Sequence, residues 1–144
     1  MSPANHAAHA YRNAEVTTLT QRDLIVKLYQ GAERFLIQAK AGMANDKEDL
    51  VLIGCQKAKR IFVELTATLN FEQGGDIAEQ LRNLYVFLIG EIGRASQERD
   101  PGAIEGILPI IATLREAWQN VPDEHANTSS MPQPGQSHTL NIRT

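Results

Sequence analysis

Acidic and histidine side chains are the residue types that could hold a metal ion or move protons, but their spacing does not suit this chemistry. A di-iron site in a helical bundle needs Glu-x-x-His pairs that project inward from facing helices. Glu15, Glu33, Glu64 and Glu91 each lack a histidine three residues later, and the four histidines all lie in the terminal segments. The pattern therefore argues against a metal-dependent enzyme.

Two N-terminal histidines, His6 and His9, are three residues apart and could share one helix face. A stable site needs further ligands, and no third ligand is evident beside them. We therefore interpret both as solvated side chains and predict no metal and no cofactor.

Cys55 is the one cysteine in the chain. A nucleophilic thiol needs a neighbouring base and a lowered pKa. The spacing of Cys55 instead places it beside the inner stripe of a helix, which predicts a packed thiol. Catalysis by this residue is therefore not expected.

Two further features could suggest ligand binding. Gly74-Gly75 is not followed by the Lys-Ser/Thr of a phosphate-binding loop. Lys57, Lys59 and Arg60 form a basic cluster in a mixed-charge helix, which predicts a solvated face. A formal net charge of −3 gives no general attraction to nucleic acid.

Length and composition favour one soluble domain. The chain has 144 residues, of which 42% are hydrophobic. The single cysteine suits a reducing compartment, and the N-terminal sequence lacks the apolar stretch of a secretory signal. The longest apolar run, LYVFLIG, is far too short to span a membrane. We expect a cytoplasmic protein without membrane insertion.

Four segments show apolar residues three and four positions apart, which predicts helices with an inner face in the core. The predicted inner face of the second helix consists of Leu50, Val51, Gly54, Ala58, Ile61, Phe62, Leu65 and Leu69. We expect helices from about Gln21 to about Ala44, from the Asn45-Asp46 turn to near Asn70, from about Asp76 to near Arg99, and from Pro101 onward. The predicted N-caps are Thr20 for the first helix, the Asn45-Asp46 turn for the second and Asp100 for the last. The paired glycines of Glu72-Gln73-Gly74-Gly75 predict a loop. Pro109 lies inside the last helix and predicts a kink.

These four helices predict an all-α, antiparallel four-helix bundle, since short connections favour antiparallel neighbours. The predicted domain spans 19–121, with Trp118 on the inner stripe of its last helix. Residues 1–18 are expected to form a short mobile segment with weak helical character. The polar, Pro-, Ser- and Thr-rich residues 122–144 are expected to be a disordered tail.

Apolar residues that fall off the predicted core faces indicate a binding surface. The third helix is the clearest case, because Leu84 to Ile89 is unbroken apolar sequence and two glycines follow one turn apart. Single apolar residues are normal on any protein surface, so this pattern alone leaves a partner-binding groove undecided. The residues off the core faces are Val26, Ile37, Leu52, Ile53, Val63, Val86, Ile89, Gly90 and Gly93.

Several segments resemble the FliS family of flagellin export chaperones. The resemblance is carried by LIVKLYQGAERFLIQAK, LNFEQGGDIAEQLRNLY, LREAW and the N-terminal Ala10-Tyr11, in the family's order and spacing. It extends from about Ala10 to Gln119. The chain departs from the family pattern at Gly90-Glu91, where two arginines are frequent, and at Pro109.

The resemblance implies a helical bundle that binds the disordered C-terminal segment of flagellin and catalyses nothing. Binding would prevent polymerisation in the cytoplasm and deliver flagellin to the flagellar type III export apparatus. In the family an N-terminal tyrosine lies over a hydrophobic site that flagellin also uses, and Tyr11 is the matching position. The expected flagellin-binding residues are Tyr11, Val26, Ile37, Leu52, Val63, Val86, Ile89, Gly90 and Gly93.

Three other functions remain open from the sequence. The chain could be a helical chaperone or adaptor for another secreted substrate. It could be a regulator that dimerises through the same apolar faces, so a homodimer of the free protein is possible. A small helical enzyme is the third alternative, although no perturbed carboxylate in a concave site is predicted.

Overall fold

The computed structural model describes residues 20–122, and this part of the chain is all-α with no strand. The four helices are α1 (Gln21–Ala44), α2 (Glu48–Ala67), α3 (Phe71–Glu98) and α4 (Pro101–Gln119). The predicted fold class is therefore confirmed. The expectations for residues 1–18 and for the tail fall outside the described residues, apart from Pro122.

Helix α1 begins where the sequence predicts. The Thr20 hydroxyl accepts a hydrogen bond from the backbone N–H of Asp23 at 3.0 Å, so one of the free donors of the first turn is satisfied. The Asp23 carboxylate bonds to Arg22 at 2.9 Å, and this interaction lowers the pKa of Asp23. Asn45 caps the other end, as its backbone N–H donates to Ala41 and Gly42.

The start of α2 differs from the prediction. Asn45 is the C-cap of α1, and Asp46 has a positive φ of 54°, so neither residue is the N-cap of the next helix. Lys47 occupies that position and makes no side-chain cap bond within the described chain. Glu48 and Asp49 supply acidic charge in the first turn, which is favourable near the positive end of the helix dipole.

The predicted loop at Glu72–Gly75 is wrong in part, because Phe71–Gly74 form a helical turn before the break at Gly75. Asn70 caps this turn by accepting a hydrogen bond from the Gln73 N–H at 3.0 Å. Gly75 then leaves helical geometry, with φ 52° and ψ −123°, before the helix continues. The glycines were correctly predicted to interrupt the helical backbone, and the interruption lies at Gly75. Capping by Asn70 nevertheless allows one helical turn before it.

Helix α4 starts as predicted, with the Asp100 side chain accepting from the Gly102 N–H at 3.0 Å and Pro101 in the first turn. Helix α4 continues through Pro109 as one helix, so the proline does not end it. Pro109 and Glu105 are both exposed. Water can therefore reach the Glu105 carbonyl that loses its backbone donor.

The helices pack in the cyclic order α1, α2, α3, α4, so α4 also contacts α1. Contacts between opposite ends of neighbouring helices show that they are antiparallel. Arg99 at the end of α3 pairs with Glu48 at the start of α2, while Lys40 near the end of α1 pairs with Glu105 near the start of α4 at 3.3 Å. The predicted antiparallel bundle is thus confirmed for the described residues.

Three aromatic side chains fill the centre of the bundle. The Phe62 ring lies between Tyr29 and Tyr85, with ring centroids 6.3 and 5.8 Å away. The two tyrosine hydroxyl oxygens are 2.5 Å apart and share a hydrogen bond. Trp118 is buried in the same core, as predicted.

Most of the predicted core is buried or packs against buried residues. Leu50 departs from the prediction, because 43% of its surface is exposed although its spacing placed it on the inner face of α2. Leu50 lies in the first turn of α2 near Gly42, where the helix emerges from the turn. Cys55 is buried, as its position beside the inner stripe predicts.

Candidate functional site

A groove of about 730 Å³ lies between α2 and α3 on the outside of the bundle. Its lining mixes aliphatic, glycine, basic and uncharged polar residues. These are Leu52 and Lys59 from α2, Ile89, Gly90, Gly93, Arg94, Ser96 and Gln97 from α3, and Arg99, which follows α3.

One flank of α2 forms the first wall of the groove. Leu52 and Lys59 are two turns apart, and Val63 follows one turn later on the same flank. The opposite flank packs on α1, where Gly54 approaches Phe35. Leu52 and Val63 are 48% and 54% exposed, so apolar surface remains open along this wall.

The second wall is the outer flank of α3, where two glycines leave space. A methyl group built on Gly90 would meet no described atom within 4 Å, and one on Gly93 would meet only the Lys59 Nζ at 3.9 Å. Val86 lies one turn before Gly90 and is 58% exposed. Ile89 is half-buried and also packs against the core. The wall therefore allows another helix to approach closely.

The two walls run in opposite directions. Gly93 lies beside Lys59, so Val86 must lie toward the Val63 end and Leu52 toward the Arg99 end. Four predicted binding residues line the groove: Leu52, Ile89, Gly90 and Gly93. Two more, Val63 and Val86, continue its two walls beyond this lining. Helical spacing places these residues on one flank of α2 and one flank of α3, and the packing of α2 against α3 brings the two flanks together.

Three basic side chains line the groove. Arg94 binds Glu91 at 3.0 Å and Glu98 at 3.1 Å, and these carboxylates raise its pKa. Arg99 pairs with Glu48. Lys59 is half-buried and forms no ion pair within residues 20–122.

The remaining predicted residues do not lie in this groove. Ile37 is 54% exposed and lies between Glu33 and Lys40 on the flank of α1 that faces α4. Val26 shares this flank by spacing but is half-buried and packs against the core, so only part of it is accessible. Tyr11 falls outside the described residues.

Sequence reasoning missed several surface features. The basic cluster was interpreted as a solvated face, but Lys59 lines the groove while Lys57 lies 5.4 Å from the centre of the Phe35 ring. Phe71 and Phe87 are 48% and 49% exposed and were not predicted as surface residues. The position of Lys59 one turn before Val63 is the signal that could have identified it.

The described residues offer few groups suited to catalysis. Burial raises the pKa of the Cys55 thiol, which opposes formation of the reactive thiolate. No group of three or more His, Cys, Asp or Glu in residues 20–122 is arranged to hold a metal ion. In the same region, no helix has the length and apolarity needed to cross a membrane.

Comparison with known proteins assigns the family. The family model described as "Flagellar protein FliS" matches residues 4–125. The chain belongs to the FliS family. This assignment agrees with the sequence resemblance and with the helical bundle.

Individual FliS proteins are similar over most of their length. The flagellar secretion chaperone FliS of Vibrio cholerae is 30% identical over 118 residues, which cover 82% of this chain and 87% of the relative. The Campylobacter jejuni protein of the same name is 31% identical over 81% of this chain and 91% of its own. The Salmonella typhimurium FliS is 30% identical over 74% of this chain and 79% of its own.

Proposed function

We propose that this FliS-family protein is a cytosolic export chaperone for flagellin. It binds the disordered C-terminal segment of flagellin, keeps the subunit from polymerising early, and delivers it to the flagellar type III export apparatus. The names of its relatives, which are flagellar secretion chaperones, support the export role.

The open groove between α2 and α3 is the observation that carries the binding proposal. Exposed aliphatic side chains lie on both walls, and Gly90 leaves room for the backbone of another helix. An amphipathic segment that folds in such a groove gains affinity by covering apolar surface. A flagellin segment that is disordered when free fits this mode of binding.

We further propose that flagellin extends beyond the groove. Ile37 and the accessible part of Val26 offer a second apolar contact on the opposite side of the bundle. Tyr11 lies over part of the site in the free protein and moves when flagellin arrives. The same apolar surfaces allow the free protein to form a homodimer at high concentration.

The protein acts by binding and not by catalysis. Its buried thiol has a raised pKa, and the charged side chains at the groove are engaged in ion pairs except for Lys59 within the described residues. A nucleophile and base in contact are needed for covalent catalysis. Among the described residues, the groove has no nucleophile in contact with a base.

Calorimetric titration of the full chain with flagellin from the same organism tests the proposal. We expect saturable binding that disappears when the C-terminal segment of flagellin is deleted. Binding that survives this deletion would contradict the proposed mode. If flagellin fails to bind while another exported flagellar protein does, the chain is an adaptor for that substrate.

Replacing Gly90 with Leu tests the location of the site. The leucine side chain would project into the space where a helix must approach, so flagellin affinity should fall by about tenfold or more. Folding stability should not fall, because leucine favours helix over glycine by roughly 0.5–1 kcal/mol.

Gly106→Leu is the matched control for this variant. Gly106 is also inside a helix with open space around it, but it lies in α4 and away from the groove. Unchanged flagellin affinity in Gly90→Leu would move the site to another face, with the Ile37 side of α1 as the next candidate.

A further inference from the structure

We propose that the segment bound between α2 and α3 is a helix that places an acidic side chain against Lys59. This inference rests on the proposed function and specifies the chemistry of the flagellin segment that occupies the groove. The occupant combines small residues over Gly90 and Gly93, apolar side chains toward both ends, and one Asp or Glu between them.

Charge is the first argument for an acidic residue. The whole chain carries a net charge of −3, yet the described lining of this groove has three basic residues and no carboxylate. Arg94 and Arg99 are neutralised by Glu91, Glu98 and Glu48. Lys59 is therefore the cation in the described lining that lacks an ion-pair partner there.

Position is the second argument. Lys59 is half-buried, and its ammonium nitrogen lies 3.9 Å from the point where a Gly93 side chain would begin. The charge thus lies between the two walls, beside α3, where a docked helix would remove water from it. Covering a lysine with apolar groups is unfavourable unless a hydrogen-bonding or charged partner replaces the lost water.

The arrangement of apolar groups explains why the partner is one carboxylate on a helix. Leu52 lies two turns before Lys59 and Val63 one turn after it, so apolar side chains flank the cation on both sides along α2. A polyanion such as nucleic acid needs several unpaired cations, which this surface does not provide. Close approach over Gly90 and Gly93 suits a helix with small residues on one face.

Reversal of the charge at Lys59 tests the inference. In Lys59→Glu, flagellin affinity should fall by roughly tenfold or more, because two carboxylates would face each other in a covered site. Lys57→Glu is the control with the same change in net charge, since Lys57 is exposed on the flank of α2 that faces α1, away from the groove. Its affinity should stay within about twofold of the parent, because an exposed charge outside the interface is screened by salt.

Compensating changes in flagellin identify the partner residue. Each Asp and Glu in the C-terminal segment of flagellin is replaced by Lys, and each variant is titrated with the parent chain and with Lys59→Glu. One of these flagellin variants should bind the parent weakly and restore affinity for Lys59→Glu. Circular dichroism melting of both chain variants establishes that the folded bundle is retained.

The outcomes separate this inference from the proposed function. Parent-like affinity in Lys59→Glu overturns the acidic contact while flagellin binding stands. A loss of affinity that no flagellin variant restores also overturns it, because the loss would not arise from a paired carboxylate. Failure of the parent chain to bind flagellin at all overturns the proposed function instead.

Discussion

The shared hydrogen bond of Tyr29 and Tyr85 is the main polar contact in the core of the bundle. Tyr29 has no exposed surface and Tyr85 has 2%, so neither hydroxyl can turn to bulk water. Their oxygens are 2.5 Å apart. A buried hydroxyl that loses its partner is costly, so each tyrosine restrains the position of the other.

A double-mutant cycle on this pair should show strong coupling. Tyr29→Phe leaves the Tyr85 hydroxyl buried without its partner and should cost about 1–3 kcal/mol of unfolding free energy. Tyr85→Phe should have a similar cost. The double variant should be more stable than the sum of the single effects predicts, because it removes both polar groups. Urea unfolding of the four proteins measures the coupling, and additive effects would contradict this account.

Trp118 adds a second polar group next to this pair. Its indole Nε1 has no hydrogen-bond partner of good geometry among the described residues. Burial is the main influence on the pKa of the Tyr29 hydroxyl and raises it. The nearby Trp118 indole lowers this pKa, but by less than burial raises it. Spacing correctly predicted Trp118 in the core, but it did not predict this neighbour, which depends on how α4 packs against α1.

The α1–α2 pair depends on a close approach of two helices. A methyl group on Gly54 would lie 2.5 Å from the Phe35 carbonyl oxygen and 3.1 Å from the Ala39 Cβ. Only glycine fits this contact without movement of the helices. The sequence placed Gly54 on the core face, but it did not show that α1 is the helix it meets.

Gly54→Ala should therefore destabilise the bundle. We expect a loss of about 1–3 kcal/mol, the usual cost of overpacking a tightly packed interior. Gly106→Ala is the control, because its methyl group meets no described atom within 4 Å and should stabilise α4 by roughly 0.5–1 kcal/mol. Thermal or urea unfolding distinguishes the two, and equal stabilisation by both would show that α1 and α2 can separate at low cost.

The starts of α1 and α4 followed from the sequence, because local chemistry decides them, whereas those of α2 and α3 did not. Thr20, Asp100 and Pro101 mark helix starts through capping and a fixed φ, and the structure has them there. Gly75 was recognised as a break but not as a break inside α3, because capping by Asn70 competes with the glycine signal. Local propensity alone does not decide between such opposing signals.

The candidate site could be predicted in part. Helical spacing shows on which face of a helix each residue lies, but it does not show which other helix that face packs against. Leu52, Val63, Val86 and Gly90 were all expected off the core faces. That these residues form one groove, while Ile37 lies on the opposite side, follows from the cyclic order of the helices. This order is a property of the whole bundle and not of any single segment.

Packing differs between the two sides of α2. Toward α1, Gly54 allows close contact that leaves no room for another chain. Toward α3, Gly90 and Gly93 lie on the outer surface and leave the groove open. The same residue type therefore tightens one helix pair and creates space beside another. The close α1–α2 contact can thus hold α2 in place beside the open surface that it forms with α3.

Alkaline pH should destabilise the whole bundle through the two core tyrosines. Burial raises the pKa of Tyr85 to about 12 and raises that of Tyr29 well above its usual value. An unfolded chain would release both protons near pH 10, whereas the native state retains them. The stability due to these groups is thus fully present below about pH 10 and is lost as pH rises through the folded pKa values.

Urea unfolding between about pH 9 and pH 12 measures this effect, with a slope of roughly 1.4 kcal/mol per pH unit for each tyrosine above pH 10. The Tyr29→Phe/Tyr85→Phe double variant is the control, because its lysines and arginines titrate as in the parent while both core phenols are absent. The parent should lose stability faster than this variant as pH rises. Parallel curves would mean that the core hydroxyls ionise as readily in the folded bundle as in the unfolded chain, and that the aromatic centre admits water.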